Sequence, residues 1–304
     1  LPTGSTDAVV DVAKLAKVYR DVIALTDITL RVGRGEAFGF LGPNGAGKTT
    51  AIKLLLGLAR PTAGSGTVLH RPIGDRSARA HIGYLPELFR YHDWMTAREE
   101  LTFHADVIGI SERDHRRAID EVLDLVGLAR RADHRIGTYS KGMQQRIGLA
   151  VALLGSPELV FLDEPTSALD PVGRHDVREI LRALKERGVT VFLNSHLLGE
   201  VELVCDRVAI VNRGRIVADG PVSAVIGEPR GVRMKISANG TPIEPIVAPF
   251  GTLKIDGDWH VVSGIDGDRV PALVSALVTA GVSIYVVEPL AATLEQRFFE
   301  ALES

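Results

Sequence analysis

The sequence predicts an α/β protein built on a twisted, largely parallel sheet with helices on its faces, followed by a small C-terminal α+β unit. Three observations predict it. Apolar runs at residues 38–41, 159–162 and 189–193 are continuous rather than alternating, which strands buried on both faces require. Helical periodicity separates these runs, so strand and helix alternate in the order that builds a parallel sheet. Beyond about Gly231 the pattern changes to short strands and glycine turns around one helical stretch near residues 270–280.

The whole chain sets outer limits. Its 304 residues are enough for one large or two ordinary domains. Net charge is −3, with 35 Lys and Arg against 38 Asp and Glu, so nothing favours a polyanion and no nucleic-acid partner is expected. Cys205 is the one cysteine, which rules out an intramolecular disulfide or a thiolate metal cluster and fits a reducing, cytosolic setting. Residues 1–7 are polar and have none of the regions of a signal peptide. Residues 270–287 are uncharged and near spanning length, but Gly281-Val282 reads as a helix stop, so a helix and then a strand are expected.

Residues 9–32 alternate apolar and polar, as antiparallel strands do. Tyr19 lies here, either as a core residue or as a ring able to stack on a base. Phe38-Gly39-Phe40-Leu41 then runs into Gly42-Pro43-Asn44-Gly45-Ala46-Gly47-Lys48-Thr49-Thr50, a G-x-x-x-x-G-K-T loop with a helix-forming stretch after it. That context is what a phosphate-binding loop demands. The glycines let successive N–H groups from about Asn44 to Thr50 turn inward toward phosphate oxygens. A helix start near Lys48 adds its positive end. Lys48 supplies a mobile charge for the β- and γ-phosphates, Thr49 a hydroxyl for Mg²⁺, and Thr50 a contact to a further phosphate oxygen. A nucleoside triphosphate is the expected ligand.

Residues 60–66 read as a turn-rich break, and Ile82-Gly83-Tyr84-Leu85 as a short strand ended by Pro86-Glu87. Residues 96–126 carry apolar positions at three-and-four spacing and form a helical insertion. Its arginines interleave with acids, which indicates a solvated face. Tyr139-Ser140-Lys141-Gly142-Met143 opens another helix. Asp163 and Glu164 end one buried strand and Asn194-Ser195-His196 the next. Carboxylates at that end of a sheet, beside a phosphate loop, are placed to hold Mg²⁺ (Asp163) and to orient or deprotonate water (Glu164), with His196 able to reach the γ-phosphate. The remaining histidines show no metal spacing such as H-E-x-x-H. Residues 207–211 and 215–218 form a hairpin across Asn212-Arg213-Gly214.

Taken together these motifs resemble the ATP-binding subunits of ABC transporters, in order and spacing over about residues 9–220. The resemblance implies a P-loop NTPase ABC cassette, a mixed sheet with antiparallel N-terminal strands and a helical insertion. On it, residues 7–228 are the cassette, about 89–155 its helical subdomain, and 231–304 an accessory unit that either packs or regulates. Residues 42–50 match the Walker A motif, 159–164 the Walker B motif with Glu164 as its catalytic Glu, 167–170 the D-loop and His196 the switch histidine. Tyr19 falls where the family carries its adenine-stacking aromatic. Residues 139–143 match the Leu-Ser-Gly-Gly-Gln signature with Ser140 and Gly142 retained, so each chain is expected to complete its partner's ATP site in a homodimer or with a paired cassette. Lys141 replaces a glycine there, adding charge or facing solvent. Glu87 stands where most of the family has a Gln that touches Mg²⁺.

The branch most like this chain is that of drug-resistance and sodium exporters, on residues 38–44, 139–143 and a tail at 283–299. ATP and Mg²⁺ are then the cofactors, permease subunits on separate chains the partners, and the cytoplasmic face of the membrane the location. Phe89, Tyr91 and Trp94 offer either a permease-facing aromatic surface or a buried cluster. The rival reading, a soluble ABC-type ATPase acting on ribosomes or DNA, calls for two cassettes or a long coiled-coil insertion, and neither is present.

Overall fold

A computed structural model of the chain describes residues 7–167, 169–227, 231–290 and 293–303. The start at residues 1–6, Ala168 of the D-loop stretch and the junction at residues 228–230 lie outside them. The chain forms two compact units, residues 1–225 with 298–304 and residues 226–297.

The first unit begins with a long antiparallel pair, β1 (Ala8–Tyr19) and β2 (Val22–Gly33). β3 (Ala37–Leu41) leads to α1 (Lys48–Leu55), and β4 (Ala63–Val68), β5 (Arg71–Pro72), α2 (Arg76–Arg79) and β6 (Ile82–Leu85) follow. The helical insertion is α3 (Ala97–Ile108), α4 (Glu112–Leu125) and α5 (Lys141–Leu153). β7 (Leu159–Asp163), α6 (Pro171–Glu186), β8 (Thr190–Asn194) and α7 (Leu198–Val204) alternate as expected, and β9 (Arg207–Asn212), β10 (Arg215–Pro221) and α8 (Val222–Ile226) close the run. The sheet has ten strands in the order β5-β4-β1-β2-β10-β9-β3-β8-β7-β6. β9, β3, β8, β7 and β6 are mutually parallel; beyond β9, on one side, β10 pairs antiparallel with β9 and parallel with β2, and β1, β4 and β5 continue the sheet in antiparallel pairs.

Every residue of β3, β7 and β8 is buried, which explains their unbroken apolar runs. Phe192 of β8 is the packing centre: its ring lies 5.0 Å from Phe161 of β7 and 5.4 Å from both Phe38 and Phe40 of β3. These contacts lock three neighbouring strands whose carboxyl ends carry the functional side chains. The hairpin at β9 and β10 turns on Arg213 and Gly214, both at positive φ, the geometry that two-residue hairpin loops need.

The insertion buries one stripe of α4 (His115, Ile119, Val122, Leu123). Arg113, Arg116 and Arg117 on its other side pair with Asp114 and Asp120, so the face expected to be solvated is so. α3 starts at a capping box between Thr96 and Glu99. One expectation is overturned: residues 63–66, read as part of a turn-rich break, begin β4. Their glycines serve close strand approach, since a Cβ on Gly66 would lie 2.5 Å from the Asp11 carbonyl oxygen.

The second unit contains β11 (Gly231–Ser237), α9 (Glu244–Val247), β12 (Thr252–Asp256), β13 (Trp259–Ser263), α10 (Val270–Thr279) and β14 (Ser283–Pro289). Its sheet order, β12-β13-β11-β14, with all pairs antiparallel, is that of a split βαβ, ferredoxin-like unit. Val232, Met234, Val247, Val262, Leu273 and Leu277 share its core. The apolar stretch weighed for the membrane is α10 followed by β14, and among the described residues no helix is long and apolar enough to cross a membrane. The last helix, α11 (Leu294–Glu303), ends the described chain.

Truncating Phe192 to Ala empties the space between three strands and is expected to cost about 4 kcal/mol. A lowered urea midpoint of the nucleotide-free protein checks this; a loss under about 1 kcal/mol would contradict a close-packed aromatic centre.

Candidate functional site

The carboxyl ends of β3, β7 and β8 open into a cavity of about 590 Å³. Its floor is the loop between β3 and α1. Gly42 is required because a Cβ there would lie 2.4 Å from the Val211 carbonyl oxygen, and Gly47, at φ 104°, would push one into the Ala24 carbonyl oxygen at 2.5 Å. Gly47 is also the N-cap of α1, with no side chain satisfying the first N–H groups and no acid in the first turn. The helix therefore presents unpaired donors to the cavity.

Lys48 is 8% exposed and donates to the carbonyl oxygens of Gly42 at 2.6 Å and Pro43 at 3.1 Å. Burial pushes its ammonium below the usual lysine range, while Glu164, Asp163 and Glu87 pull it back up. The loop carbonyls hold the lysine across the site in a pose that a phosphate can take over. Thr49 is exposed and Thr50 half-buried in the first turn of α1, and both line the cavity with Pro43, Asn44 and Gly45. Ala46 is buried beneath the loop.

Asp163 ends β7 at 2% exposure, and Glu164 follows at 9% with φ 54°. This left-handed backbone costs a side-chain-bearing residue about 1–3 kcal/mol and is held by the Glu164 N–H donating to the Asn194 carbonyl oxygen at 2.8 Å. The turn aims the Glu164 carboxylate along the cavity wall. His196 lies opposite, its Nδ1 2.7 Å from Glu164 Oε2. Burial pushes the Asp163 carboxyl above the usual range; a hydrogen bond donated by Asn194 Nδ2 opposes this, Glu87 and Glu164 reinforce it, and Lys48 opposes it again. Glu87, on the loop after β6, lines the same cavity.

The donor set suits a hydrated divalent cation. Thr49 and Asp163 offer side-chain oxygens of the kind such a cation takes, and the buried Oδ1 of Asn194 has no hydrogen-bond partner. Among the described residues no three His, Cys, Asp or Glu could hold a metal together, so phosphate and water would have to complete the shell of Mg²⁺.

The cavity thus unites Lys48, Thr49, Glu87, Glu164 and His196, with Asp163 buried beneath Asn194. Besides Ala46 and Asp163, which lie buried behind its wall, it leaves out Tyr19, Ser140 and Gly142. Tyr19 is 43% exposed at the end of β1, with the Lys17 ammonium 4.7 Å from its ring centre, and is not on the cavity wall. Ser140 is the exposed N-cap of α5, accepting the Met143 N–H at 3.3 Å, and Gly142 is half-buried in the first turn of the same helix. Five wall residues had no site role in the sequence analysis: Val22, Ile23 and Ala24 of β2, Asn194 and Phe298. Asn194 had a signal, its place two residues before His196 at the end of a buried strand. Phe298, which belongs to the first unit, had none.

A family model described as ABC transporter matches residues 25–167. An uncharacterised ABC transporter ATP-binding protein of Synechocystis sp. is 41% identical over 97% of this chain and 84% of its own length. The chain belongs to the ATP-binding subunits of ABC transporters. The Nod factor export ATP-binding protein I of Mesorhizobium japonicum is 36% identical over 89% of this chain and 81% of its own. The bacitracin transport ATP-binding protein of Bacillus licheniformis is 39% identical over 70% of each. Among solved structures, an ATP-binding subunit of an ABC transporter aligns with a TM-score of 0.64 and 32% identity, over 71% of this chain and 91% of its own. A dimeric ATP-binding cassette bound to ADP and phosphate aligns with the same TM-score and 25% identity, over 70% of this chain and 99% of its own.

As an ABC transporter ATPase the protein binds nucleotide and couples its hydrolysis to transport. The aromatic stretch after Glu87 has a mixed fate. Phe89 and Tyr91 pack together with ring centres 5.1 Å apart and line a cavity of about 320 Å³ with Ile136 and Gln144. Leu88 and Trp94 stand out into solvent at 88% and 68% exposure. Phe89 and Tyr91 therefore fit the cluster reading, and Trp94 stands outside that cluster.

Replacing Glu87 by Gln removes a negative charge that Asp163 and Lys48 both feel. Nucleotide titrations without Mg²⁺ are expected to show several-fold tighter binding, because the incoming phosphates meet less repulsion. Unchanged affinity would show that Glu87 does not face the phosphates.

Proposed function

We propose that two copies of this subunit, or this subunit and a paired cassette, close head to tail over two ATP molecules and drive an exporting permease carried on separate, membrane-embedded chains. The observation that carries the reading is the separation of the half-sites. Ser140 and Gly142 stand at the start of α5, outside the cavity that holds Lys48, Glu164 and His196 in their own chain. A hydroxyl and free N–H groups at a helix start are donors suited to a phosphate, here one bound by the partner. The dimeric form of one solved relative and the export and transport named for two others support it.

In this reading the N–H groups of Asn44 to Thr50 and the Lys48 ammonium hold the phosphates, leaving Gly42 and Pro43 carbonyls behind. Thr49, and Asp163 through water, hold Mg²⁺, with Glu87 on the metal side; the ion neutralises phosphate charge when bound. Tyr19 swings in against adenine. Glu164 orients and deprotonates the attacking water. Its carboxylate can only accept, so the Nδ1 that His196 turns to it carries the proton and Nε2 of a neutral ring is an acceptor. A neutral His196 therefore cannot serve Glu164 and donate to a γ-phosphate from Nε2 at once. ATP binding draws His196 to the phosphate and frees Glu164 for water.

Closure follows because each γ-phosphate is contacted by both subunits only in the closed state, and hydrolysis removes that differential contact. Residues 7–228 act as the cassette, 89–155 as its helical subdomain and 231–304 as an accessory module. The permease docks beside the groove formed by Phe89 and Tyr91, with Trp94 and Leu88 as its exposed apolar rim. This places the subunit peripherally, on the cytoplasmic face of the membrane.

The Glu164→Gln protein is expected to bind ATP, turn over at least about a hundredfold more slowly and accumulate as a dimer in ATP. Normal turnover would move the base elsewhere. Lys48→Ala is expected to weaken ATP binding itself, and unchanged affinity would overturn the phosphate-loop assignment. Tagged Glu164→Gln protein, isolated with ATP from gently solubilised cells, should bring a polytopic membrane protein with it; ribosomal or DNA-repair proteins alone would refute the transporter partner.

A further inference from the structure

Asn194 ends β8 in register with Asp163, the last residue of β7. It is 2% exposed, and its Nδ2 donates to Asp163 Oδ1. The reverse orientation of the amide would turn its oxygen on a carboxylate, so the donor must face Asp163. That leaves Oδ1 as a buried acceptor with no partner, one of two such side-chain atoms among the described residues. The same residue lines the phosphate cavity beside Glu164 and His196. The Lys48 ammonium is engaged with the Gly42 and Pro43 carbonyls.

A buried acceptor left without a donor is unfavourable enough that its presence asks for one from outside the chain. A water bound to a metal ion suits it, because its oxygen lone pair is given to the metal and its two O–H groups can only donate. We propose that Asn194 is a positioning residue of the metal–nucleotide shell, its amide N–H holding one oxygen of Asp163 and its Oδ1 accepting a hydrogen bond from a water on Mg²⁺. The residue type fits this double task. An Asp would set a fourth carboxylate among Asp163, Glu164 and Glu87, and a Leu would offer neither donor nor acceptor. The inference rests on the reading of Asp163 as the metal-side carboxylate.

The test measures Mn²⁺ binding to the full-length, ADP-loaded protein by loss of the free-ion paramagnetic resonance signal. ADP affinity in EDTA serves as a readout of site integrity without metal. Asn194→Ala is expected to weaken Mn²⁺ binding about tenfold, the usual effect of losing an outer-shell partner, while ADP affinity in EDTA stays unchanged. Asn194→Ser, which keeps an oxygen, should fall between, and it carries the test if the Ala protein does not fold. Unchanged Mn²⁺ affinity, or a parallel loss of ADP affinity in EDTA, would overturn the proposal. Asp163→Asn separates the two readings: if it too leaves Mn²⁺ binding unchanged, the assignment of Asp163 fails; if it abolishes binding while Asn194→Ala does not, only the role of Asn194 fails.

Discussion

The parallel register of β3, β8 and β7 is the constraint on which the site depends. Phe40 pairs with Asn194 and Asp163 pairs with Asn194, so three strands end level with one another. The phosphate loop, the two carboxylates and the Asn194-Ser195-His196 turn leave the sheet at one edge because of that alignment. Side chains alternate faces along a strand, so a slip of one residue would drive Asn194 away from Asp163 and Phe192 out of its aromatic neighbours together. The ring packing around Phe192 and the hydrogen bond from Asn194 to Asp163 therefore report the same register, one in the core and the other at the mouth.

At that mouth the sheet gathers a lysine and three carboxylates within mutual electrostatic reach. Burial disfavours the charges on Lys48 and Asp163, and Glu87 and Glu164 push the Asp163 carboxyl further in the same direction. Lys48 is shared among them and is tied to loop carbonyls meanwhile. The imbalance is of a kind that a phosphate chain with a divalent cation corrects. Phosphates would supply a partner for Lys48 and for the uncapped start of α1, and a cation would supply one for Asp163. Glu87 adjusts this balance from a loop rather than from the sheet, so its effect depends on where that loop lies. This links the site to the surface beyond Leu88, which follows Glu87 in the chain.

Much of this was legible in the sequence because it is local. Residues 42–50 carry a loop chemistry that few other contexts need, and Asp163, Glu164 and His196 sit at the ends of runs whose burial their own composition declares. What was not legible is long-range. Residues 63–66 look like a turn because glycine is common in turns, but here the glycines let β4 approach β1, which lies some fifty residues earlier in the chain. The ferredoxin-like order of the second unit depends on pairing β11 with both β13 and β14, which no window of sequence contains. Phe298 reaches the phosphate cavity from the end of the chain, and nothing near it announces that destination. Asn194 was visible as a residue, but its meaning came only from the unpartnered oxygen.

The start of α5 shows how an exposed segment can carry information that its own chain does not use. Gly142 has no positive φ, and a Cβ added there would meet nothing closer than 3.9 Å. Neither backbone geometry nor packing within the subunit asks for glycine. Ser140 caps its own helix by accepting the Met143 N–H, a task that engages a lone pair and leaves the hydroxyl proton free. One residue is smaller than its surroundings require, and the other holds a donor that its cap does not consume. Both features are accounted for if a phosphate held by a second cassette comes to rest against this helix start, where the missing Cβ leaves room and the hydroxyl proton finds its acceptor. Lys141 between them would bring positive charge to the same contact, in place of the glycine that the signature ordinarily carries.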